Sequence, residues 1–489
     1  MKNIIEKIKR KDNIAVFILF FLISLGISLN IYLESNDEIW NFQNVYKMYN
    51  GFKIYEEINV IITPLFFWIA EGIFYLLGAN LCIFRISHCV FMSILFLMTY
   101  KILKKLKIPK TLSLLAVLVI CLQEFFLMIR TSFNYNNMAL LFFVIGTYYL
   151  INEKTRKNIL IQSIITILII LTKQNIGIYY LLGSIIYLSI SKKDIKNKLI
   201  EIFKYIGVVL LGGIIFVLYL IMDNNLYNFF NYTLGGILEF ANENLNFESS
   251  AIVFMIGIIT INIGMSIFFI KKNFLTEKQI ENIKILLIFS IMLSIVCYPI
   301  FNWTHIIIGT YLMIINVVYM VYLVFEDFKE GITKILKVVN GIIIFGMIIF
   351  SCYNMNVWVK SITNNDYPYS WEYPFFGGMM GKEEFEKNEK VIQYVEEKKK
   401  KVVVLSYRAA LCMIPLERNN GDFDLPFKGN LGIEGEDGLI EKVDNMQNVQ
   451  FLIYKNKDEK CYQESEKVKE YVKNTKKYVG EIAGFEIYE

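Results

Sequence analysis

The sequence predicts an α-helical polytopic membrane protein of about eleven transmembrane helices, with interfacial helices in the first outer loop and a small C-terminal α/β domain outside the cytoplasm. Of its 489 residues 55% are hydrophobic and only 19% are charged, whereas soluble domains carry roughly 25% charged residues. The apolar residues also fall in blocks of about 15–22, the length with which a helix crosses the hydrocarbon layer of a bilayer. Clusters of basic residues separate these blocks.

Six clusters of lysine and arginine predict the topology, because short loops rich in these residues stay in the cytoplasm. The clusters are residues 2–11, 101–110, 154–157, 192–198, 271–284 and 329–337. By contrast, residues 223–250 contain four acidic residues and no lysine or arginine. We therefore expect a multi-pass protein of the cell (plasma) membrane, with its N-terminus in the cytoplasm and everything after residue 351 outside.

The number of spans between two cytoplasmic clusters must be even, and this decides how the first apolar stretch is divided. Between the first two basic clusters the number of spans must be even, but three apolar blocks are present, at residues 14–33, 64–78 and 80–100. The middle block is only about 22 Å long as a helix, and it contains Glu71. We therefore expect it to be an interfacial or re-entrant helix on the outer face.

The same rule divides residues 158–190 into two short spans, separated by the polar residues 172–175. Short helices that meet at a polar break inside the membrane are typical of binding sites, because the break exposes backbone dipoles to a ligand. A plain tight hairpin with a lysine reaching the interface explains the pattern equally well.

The alternation of loops predicts the remaining elements. The expected spans are residues 14–33, 80–100, 109–128, 134–151, 158–171, 175–190, 201–222, 251–270, 285–298, 303–325 and 334–352. In the tail, residues 383–399 and 464–476 have the pattern of amphipathic helices, and residues 402–406, 451–454 and 485–488 that of short strands. The chain is therefore divided into a membrane domain, residues 1–352, and a soluble extracytoplasmic α/β domain, residues 353–489.

The first outward loop, residues 34–79, carries the most informative pattern, beginning with the acidic pair Asp37 and Glu38. Asp37 opens a helical stretch, and a helix cap would stabilise that helix by about 1 kcal/mol. Alternatively, Asp37 is a carboxylate at the mouth of a membrane cavity. Partial desolvation there raises the basicity of a carboxylate and suits it to remove a proton from a hydroxyl group.

The first outward loop contains, in order, the acidic pair, an aromatic helix, a glycine–aromatic turn, a Pro–Leu–aromatic–Trp helix and Leu–Gly. This order resembles the first loop of GT-C glycosyltransferases, which include bacterial aminoarabinose transferases and protein O-mannosyltransferases. Three later stretches resemble family segments too: FRISHCVFM at 84–92, LTKQNIG at 171–177 and YPIFNWTHIIIGTYLMI at 298–314. The resemblance covers about residues 14–320.

The sequence also departs from the family pattern. The family often has Lys–Pro–Pro before the tryptophan helix, where this chain has Ile62, Thr63 and Pro64. Ile300 stands where the family has an arginine after Tyr–Pro. The basic residue usually credited with holding the donor phosphate is thus missing, and donor binding must depend on other cations.

The resemblance implies an enzyme that moves a sugar from a polyprenyl-phosphate donor to an acceptor outside the cytoplasm. The implied acceptor is a cell-envelope glycan, lipid or protein, the surroundings are membrane lipid, and no nucleic acid is involved. Asp37 would deprotonate the acceptor hydroxyl, whose attack opposite the phosphate predicts inversion, while Glu38 would orient the acceptor or the loop. Which of the two is the base stays open at this point.

Positive charge is needed where negative charge grows on the leaving phosphate. The candidate cations on the outer side are Lys53, Arg85, Arg130, Lys173 and His305. Arg85 and Lys173 are preferred, because a cation at membrane depth is costly unless it has a function. The alternatives are a solvated loop residue for Lys53, an interfacial anchor for Arg130 and a structural hydrogen bond for His305.

Aromatic residues of the first loop, Trp40, Tyr46, Tyr55 and Trp68, are suited to stack on sugars or, more simply, to anchor the loop at the membrane interface. No ligand cluster has metal-binding spacing, so no cofactor is predicted firmly and a divalent metal is left open. In the tail, residues 419–435 include Asp422 and Asp424, and either acceptor contact or turn chemistry explains this stretch.

Other functions remain as alternatives. A transporter or flippase for lipid-linked saccharides would also use helix breaks and buried cations, but the sequence has no repeat of spans. A polysaccharide polymerase or ligase usually carries its charged loop late in the bundle. A non-catalytic membrane receptor would depend on the tail alone.

The topology is tested by cysteine labelling. A cysteine introduced by Asn244→Cys should react with a membrane-impermeant maleimide in intact cells, because residues 223–250 are expected outside. Labelling only after permeabilisation would invert the topology.

Overall fold

The structure is a computed structural model. It describes residues 2–33, 36–126, 132–151, 158–191, 194–237, 246–271, 275–324, 329–363, 370–406, 408–424, 430–455 and 465–489. A helix occupies each of the eleven predicted spans. In chain order these helices are α1 Lys2–Ser28, α4 Leu81–Lys105, α5 Lys110–Phe126, α6 Tyr135–Leu150, α7 Asn158–Thr172, α8 Gln174–Ile190, α9 Ile195–Met222, α11 Ser249–Lys271, α12 Glu277–Ser294, α13 Trp303–Val324 and α14 Lys329–Thr363.

Among the residues described, seven helices are long and apolar enough to cross a membrane, and four shorter apolar helices accompany them. The chain is therefore a multi-pass membrane protein, as the sequence predicts. The break predicted at residues 172–175 is present, because α7 ends at Thr172 and α8 begins at Gln174. In the loop between α1 and α4, α2 (Asn36–Tyr49) and α3 (Leu65–Leu77) lie where helices are expected.

The chain forms two compact units. The first consists of Met1–Ser28, His88–Phe216 and Asn246–Asn356, and the second of Leu29–Ser87, Val217–Leu245 and Val357–Glu489. In the first unit, the membrane helix α13 is mostly buried, whereas α11 is mostly exposed and presents apolar side chains outward. Such an apolar exposed face is suited to contact lipid. The domain boundary predicted between residues 352 and 353 falls inside α14 and stays a prediction.

In the second unit, the C-terminal residues form a mixed four-stranded sheet in the order β3-β4-β6-β5. Strands β3 (Lys401–Leu405) and β4 (Val449–Tyr454) are parallel, and β6 (Phe485–Tyr488) pairs antiparallel with β4 and with β5 (Tyr478–Ile482). The helices of the C-terminal residues are α15 Lys382–Glu397, α16 Ala409–Met413, α17 Gly435–Asn445 and α18 Glu466–Thr475. Three short elements lie earlier in the chain: α10 Leu226–Phe230 and the two-residue strands β1 Asn246–Phe247 and β2 Ile300–Phe301.

The three predicted strands and both predicted helices of the tail are present. The sequence pattern did not reveal β5, because this edge strand is largely exposed. It also has an irregular register between Tyr478 and Gly480. The alternation of apolar and polar residues that identifies a half-buried strand is therefore missing there.

Candidate functional site

Helix α2 is held in the second unit by an apolar face. The ring of Phe42 is fully buried and packs against the rings of Phe74, Phe84 and Phe375 at centroid distances of 5.9, 5.7 and 5.5 Å. Aromatic pairs of this kind add about 0.5–1.5 kcal/mol each beyond the area that they bury. The opposite face of α2 is polar and begins with Asp37.

Arg85 and Glu38 form a bidentate ion pair inside the second unit. The guanidinium Nε and Nη2 each donate to one carboxylate oxygen of Glu38 at 2.8 Å. Nη1 donates to the carbonyls of Leu29 and Gly377 at 3.4 and 3.3 Å. Both partners are buried, with 2% of the Arg85 side chain and 5% of the Glu38 side chain exposed. Two parallel charge-assisted bonds fix the start of α2 against α4.

Asp37 has a different environment from its neighbour. It lies in the first turn of α2, where the helix dipole favours a negative charge. It is exposed, while Glu38 is buried. Asn41 donates to the Asp37 carbonyl at 2.7 Å, which ties this turn to the next. The two adjacent carboxylates therefore differ in access and in partner.

The other first-loop residues singled out from the sequence lie in the second unit too. Lys53 is about half exposed and forms an ion pair with Glu56 at 3.4 Å, in agreement with a solvated loop residue. Tyr55 is 1% exposed, and its hydroxyl donates to the Ile62 carbonyl at 2.8 Å. Burial raises the pKa of the Tyr55 hydroxyl well above its ordinary value. A ring buried in this way is not available to stack on a sugar.

The two tryptophans are only partly buried. The ring of Trp40 meets Phe67 edge-on at 6.2 Å, and that of Trp68 meets Tyr219 edge-on at 5.3 Å. These contacts orient both rings without enclosing them. Their predicted role in sugar binding is untested.

Lys173 and His305 both lie in the first unit, where the positive charge of Lys173 acts on the His305 ring. The Lys173 ammonium donates to the Asn136 side-chain oxygen at 2.5 Å and lies 5.3 Å from the centroid of the Tyr135 ring. The Nδ1 atom of His305 is 2.8 Å from the Asn302 side-chain oxygen, which can only accept, so Nδ1 donates. We call Lys173, Asn136, Tyr135 and His305 the Lys173 cluster.

The Lys173 cluster is built from helix ends. Lys173 is the N-cap residue of α8, at the polar break, and its own side chain does not cap the helix. In the first turn, the Ile176 N–H donates to the Asn175 side-chain oxygen at 2.8 Å. The N-terminus of a helix carries partial positive charge and unpaired N–H groups. A cation at this position adds to that potential, so the arrangement is suited to an anion such as a phosphate. Arg130, the remaining candidate cation, lies outside the described residues.

A contact that the sequence did not suggest joins the first loop to the C-terminal residues of the second unit. Lys47 forms an ion pair with Asp424, with only 3% and 7% of the side chains exposed. Burial lowers the pKa of the Lys47 ammonium to about 7, and the adjacent Asp424 carboxylate opposes that effect. The sequence shows a single lysine on α2 and an acidic residue in the stretch 419–435. One sequence alone does not reveal that these two residues form a pair.

The described residues contain no group of three or more His, Cys, Asp or Glu side chains arranged to hold a metal ion. The candidate residues are two acidic side chains in the second unit, one of them neutralised by Arg85, and a cationic helix terminus, the Lys173 cluster, in the first unit.

Known proteins resemble this chain in sequence over one stretch and in fold over most of its length. A sequence model of the family described as dolichyl-phosphate-mannose-protein mannosyltransferase matches residues 62–221. No curated protein sequence matches the chain. Among solved structures, ArnT from Cupriavidus metallidurans bound to undecaprenyl phosphate is similar over 97% of this chain and 97% of its own, with 9% identity and a TM-score of 0.56.

The oligosaccharyltransferase of Archaeoglobus fulgidus, tethered with an acceptor peptide, is similar over 90% of this chain and 68% of its own, with 12% identity and a TM-score of 0.52. These structural likenesses confirm the predicted fold, and the family match over residues 62–221 agrees with the predicted resemblance to GT-C glycosyltransferases. The family match and the structural likenesses agree with the predicted class of enzyme, a glycosyltransferase.

The role of Arg85 is open to a direct test. Arg85→Gln should destabilise the protein by about 3–5 kcal/mol, because it leaves the Glu38 carboxylate buried without its cation. Thermal unfolding of the purified protein would measure this, and Glu38→Gln in the same chain should recover part of the loss. Lys53→Met, at an exposed ion pair, is the control and should change stability by less than about 0.5 kcal/mol.

If Arg85→Gln were as stable as the unmodified protein and only weakened donor binding, Arg85 would be a phosphate ligand, as first predicted, and not the partner that fixes α2.

Proposed function

We propose that this protein is an integral-membrane glycosyltransferase that transfers a sugar from a polyprenyl-phosphate donor to an extracytoplasmic acceptor with inversion, and that Asp37 is the general base. The observation that carries the proposal is the difference between the adjacent carboxylates. Glu38 is buried and bound by Arg85 through two hydrogen bonds of 2.8 Å, whereas Asp37 is exposed.

A general base must reach the proton that it removes. Both oxygens of the Glu38 carboxylate accept from the Arg85 guanidinium in the buried interior of the second unit, so they do not face an acceptor hydroxyl. Glu38 is therefore assigned to positioning α2, and Asp37 to proton removal. The position of Asp37 in the first turn of α2 supports this division, because the rigid helix fixes its direction of approach.

The reaction proceeds in one displacement. The acceptor hydroxyl gives its proton to the Asp37 carboxylate, and its oxygen forms a bond to the anomeric carbon. The bond from that carbon to the phosphate oxygen breaks on the opposite face, and the polyprenyl phosphate leaves with the electron pair. The phosphate is a good leaving group, so no general acid is required. Attack opposite the leaving group inverts the anomeric centre.

The donor phosphate is assigned to the Lys173 cluster. An ammonium group at the N-terminus of α8 provides fixed positive charge where negative charge grows during bond breaking. His305 lies beside it and contributes a polar ring. The polyprenyl chain lies in the bilayer against the exposed apolar helices. That ArnT was solved with undecaprenyl phosphate bound supports a donor of this kind.

The remaining assignments follow the sequence. The protein is placed in the plasma membrane, with its N-terminus in the cytoplasm. The domain formed by residues 353–489 is placed outside the cytoplasm. The acceptor is a cell-envelope glycan, lipid or protein. Trp40 and Trp68 keep their proposed contact with sugar, because both rings are partly exposed. Tyr55, Lys53 and Arg85 are left out of the substrate site for the reasons given above.

A transporter of lipid-linked saccharides is the second candidate. The observation that favours it is the break between α7 and α8, since broken helices in membrane transporters form binding sites. The two functions differ in product: a transporter moves the lipid-linked sugar without releasing polyprenyl phosphate.

The base assignment is tested with protein in lipid nanodiscs, supplied with a panel of polyprenyl-phosphate sugars and envelope acceptors. Asp37→Asn should lower kcat by about 10²-fold or more, because it removes the base, with little change in thermal stability. Glu56→Gln, in the same loop, is the control and should retain full activity. Transfer by Asp37→Asn at the normal rate would refute the assignment. An unmodified protein that transports the lipid but transfers no sugar would favour the second candidate.

The donor site is tested separately. Lys173→Met should lower kcat/KM for the donor by about 10²-fold, as expected for removing one group that stabilises developing charge. Lys204→Met, which alters an exposed lysine of α9, is the matched control. Equal activity of the two variants would remove Lys173 from the donor site.

A further inference from the structure

The polar face of α2 is buried at a cost. Asn41, Asn44 and Lys47 follow Asp37 at helical spacing, and each is no more than 2% exposed. Within the described part of the chain, the Asn41 side-chain oxygen and the Asn44 side-chain nitrogen have no hydrogen-bond partner. Each unsatisfied buried polar group costs about 1–3 kcal/mol. Interactions elsewhere must therefore hold α2 in this position.

Two buried ion pairs hold the two ends of α2. Glu38, in the first turn, pairs with Arg85, as described above. Lys47, in the last turn, pairs with Asp424 of the C-terminal residues. Because both pairs are nearly inaccessible to solvent, removing one partner leaves an uncompensated charge.

Three hydrogen bonds extend the contact at the Lys47 end. Asn419 donates to the Glu57 carbonyl at 3.0 Å, and Asn430 donates to the Asn59 carbonyl at 3.4 Å. Asn59 in turn donates to the carbonyl of Asp422 at 3.5 Å. The stretch around Asp424 is thus attached to the first loop at several points.

We propose that Lys47 and Asp424 are a positioning pair through which the C-terminal residues set the position of α2 and, with it, of Asp37. The inference rests on the proposed function. Lys47 is ten residues from Asp37, about 15 Å along a helix, and a helix moves as one body. A misplacement of 1 Å is enough to lower the rate about 10²-fold. The effect falls on kcat, because Asp37 acts on the acceptor proton and not on the donor.

The experiment uses the full-length protein in nanodiscs and measures kcat, donor KM and thermal unfolding for each variant. Lys47→Met and Asp424→Asn should each lower kcat by about 10- to 100-fold while donor KM stays within about twofold of normal. Lys47→Arg, which keeps the charge, and the exchange Lys47→Asp with Asp424→Lys should restore most of kcat. Lys467→Met is the control, since it breaks an exposed ion pair with Asp437 in the same C-terminal region.

A lower unfolding temperature with unchanged kcat per folded molecule would overturn the inference, because the pair would then serve stability alone. Should the neutral variants fail to fold, the exchange variant decides: recovery of kcat supports the pair, and a folded but slow enzyme contradicts it. If the unmodified protein is active and both neutral variants have the same kcat as it has, only this inference is refuted. An unmodified protein that transfers no sugar from any donor refutes the proposed function itself.

Discussion

The bidentate ion pair between Arg85 and Glu38 is the interaction on which the loop between α1 and α4 depends. It joins the start of α2 to α4 and, through the carbonyls of Leu29 and Gly377, to two further segments of the second unit. Burial makes the pair costly to form. Removing only one partner costs more, because the other charge is then left buried without its counterion. Its chemical consequence is the separation of two adjacent carboxylates into a neutralised, buried one and an exposed one.

Because the two carboxylates differ in this way, the proposed mechanism assigns the chemistry to only one of them. A single displacement at an anomeric carbon with a phosphate leaving group requires one base and a region of positive potential. Asp37 is the proposed base, and it lies on a helix whose two ends are held by buried ion pairs. Lys173 supplies the charge at a helix terminus, where backbone N–H groups add to it.

Much of the architecture could be predicted from the sequence, because membrane insertion imposes simple rules. Lysine clusters and parity located the break at Lys173 and identified α3 as a short loop helix. The partners of buried charges could not be predicted. Arg85 looked like a phosphate ligand because a membrane-depth cation needs an anion, but the sequence does not say that the anion is Glu38, 47 residues away. The pairing of Lys47 with Asp424 was hidden for the same reason.

The central claim is that Asp37 acts as a base in a single displacement while Glu38 takes no part in the chemistry. The most direct test is the anomeric configuration of the first product, determined by proton NMR with a donor of known configuration. The account predicts a product of the opposite configuration to the donor. A product of the same configuration would show that the acceptor does not attack opposite the phosphate in a single displacement, and would contradict it.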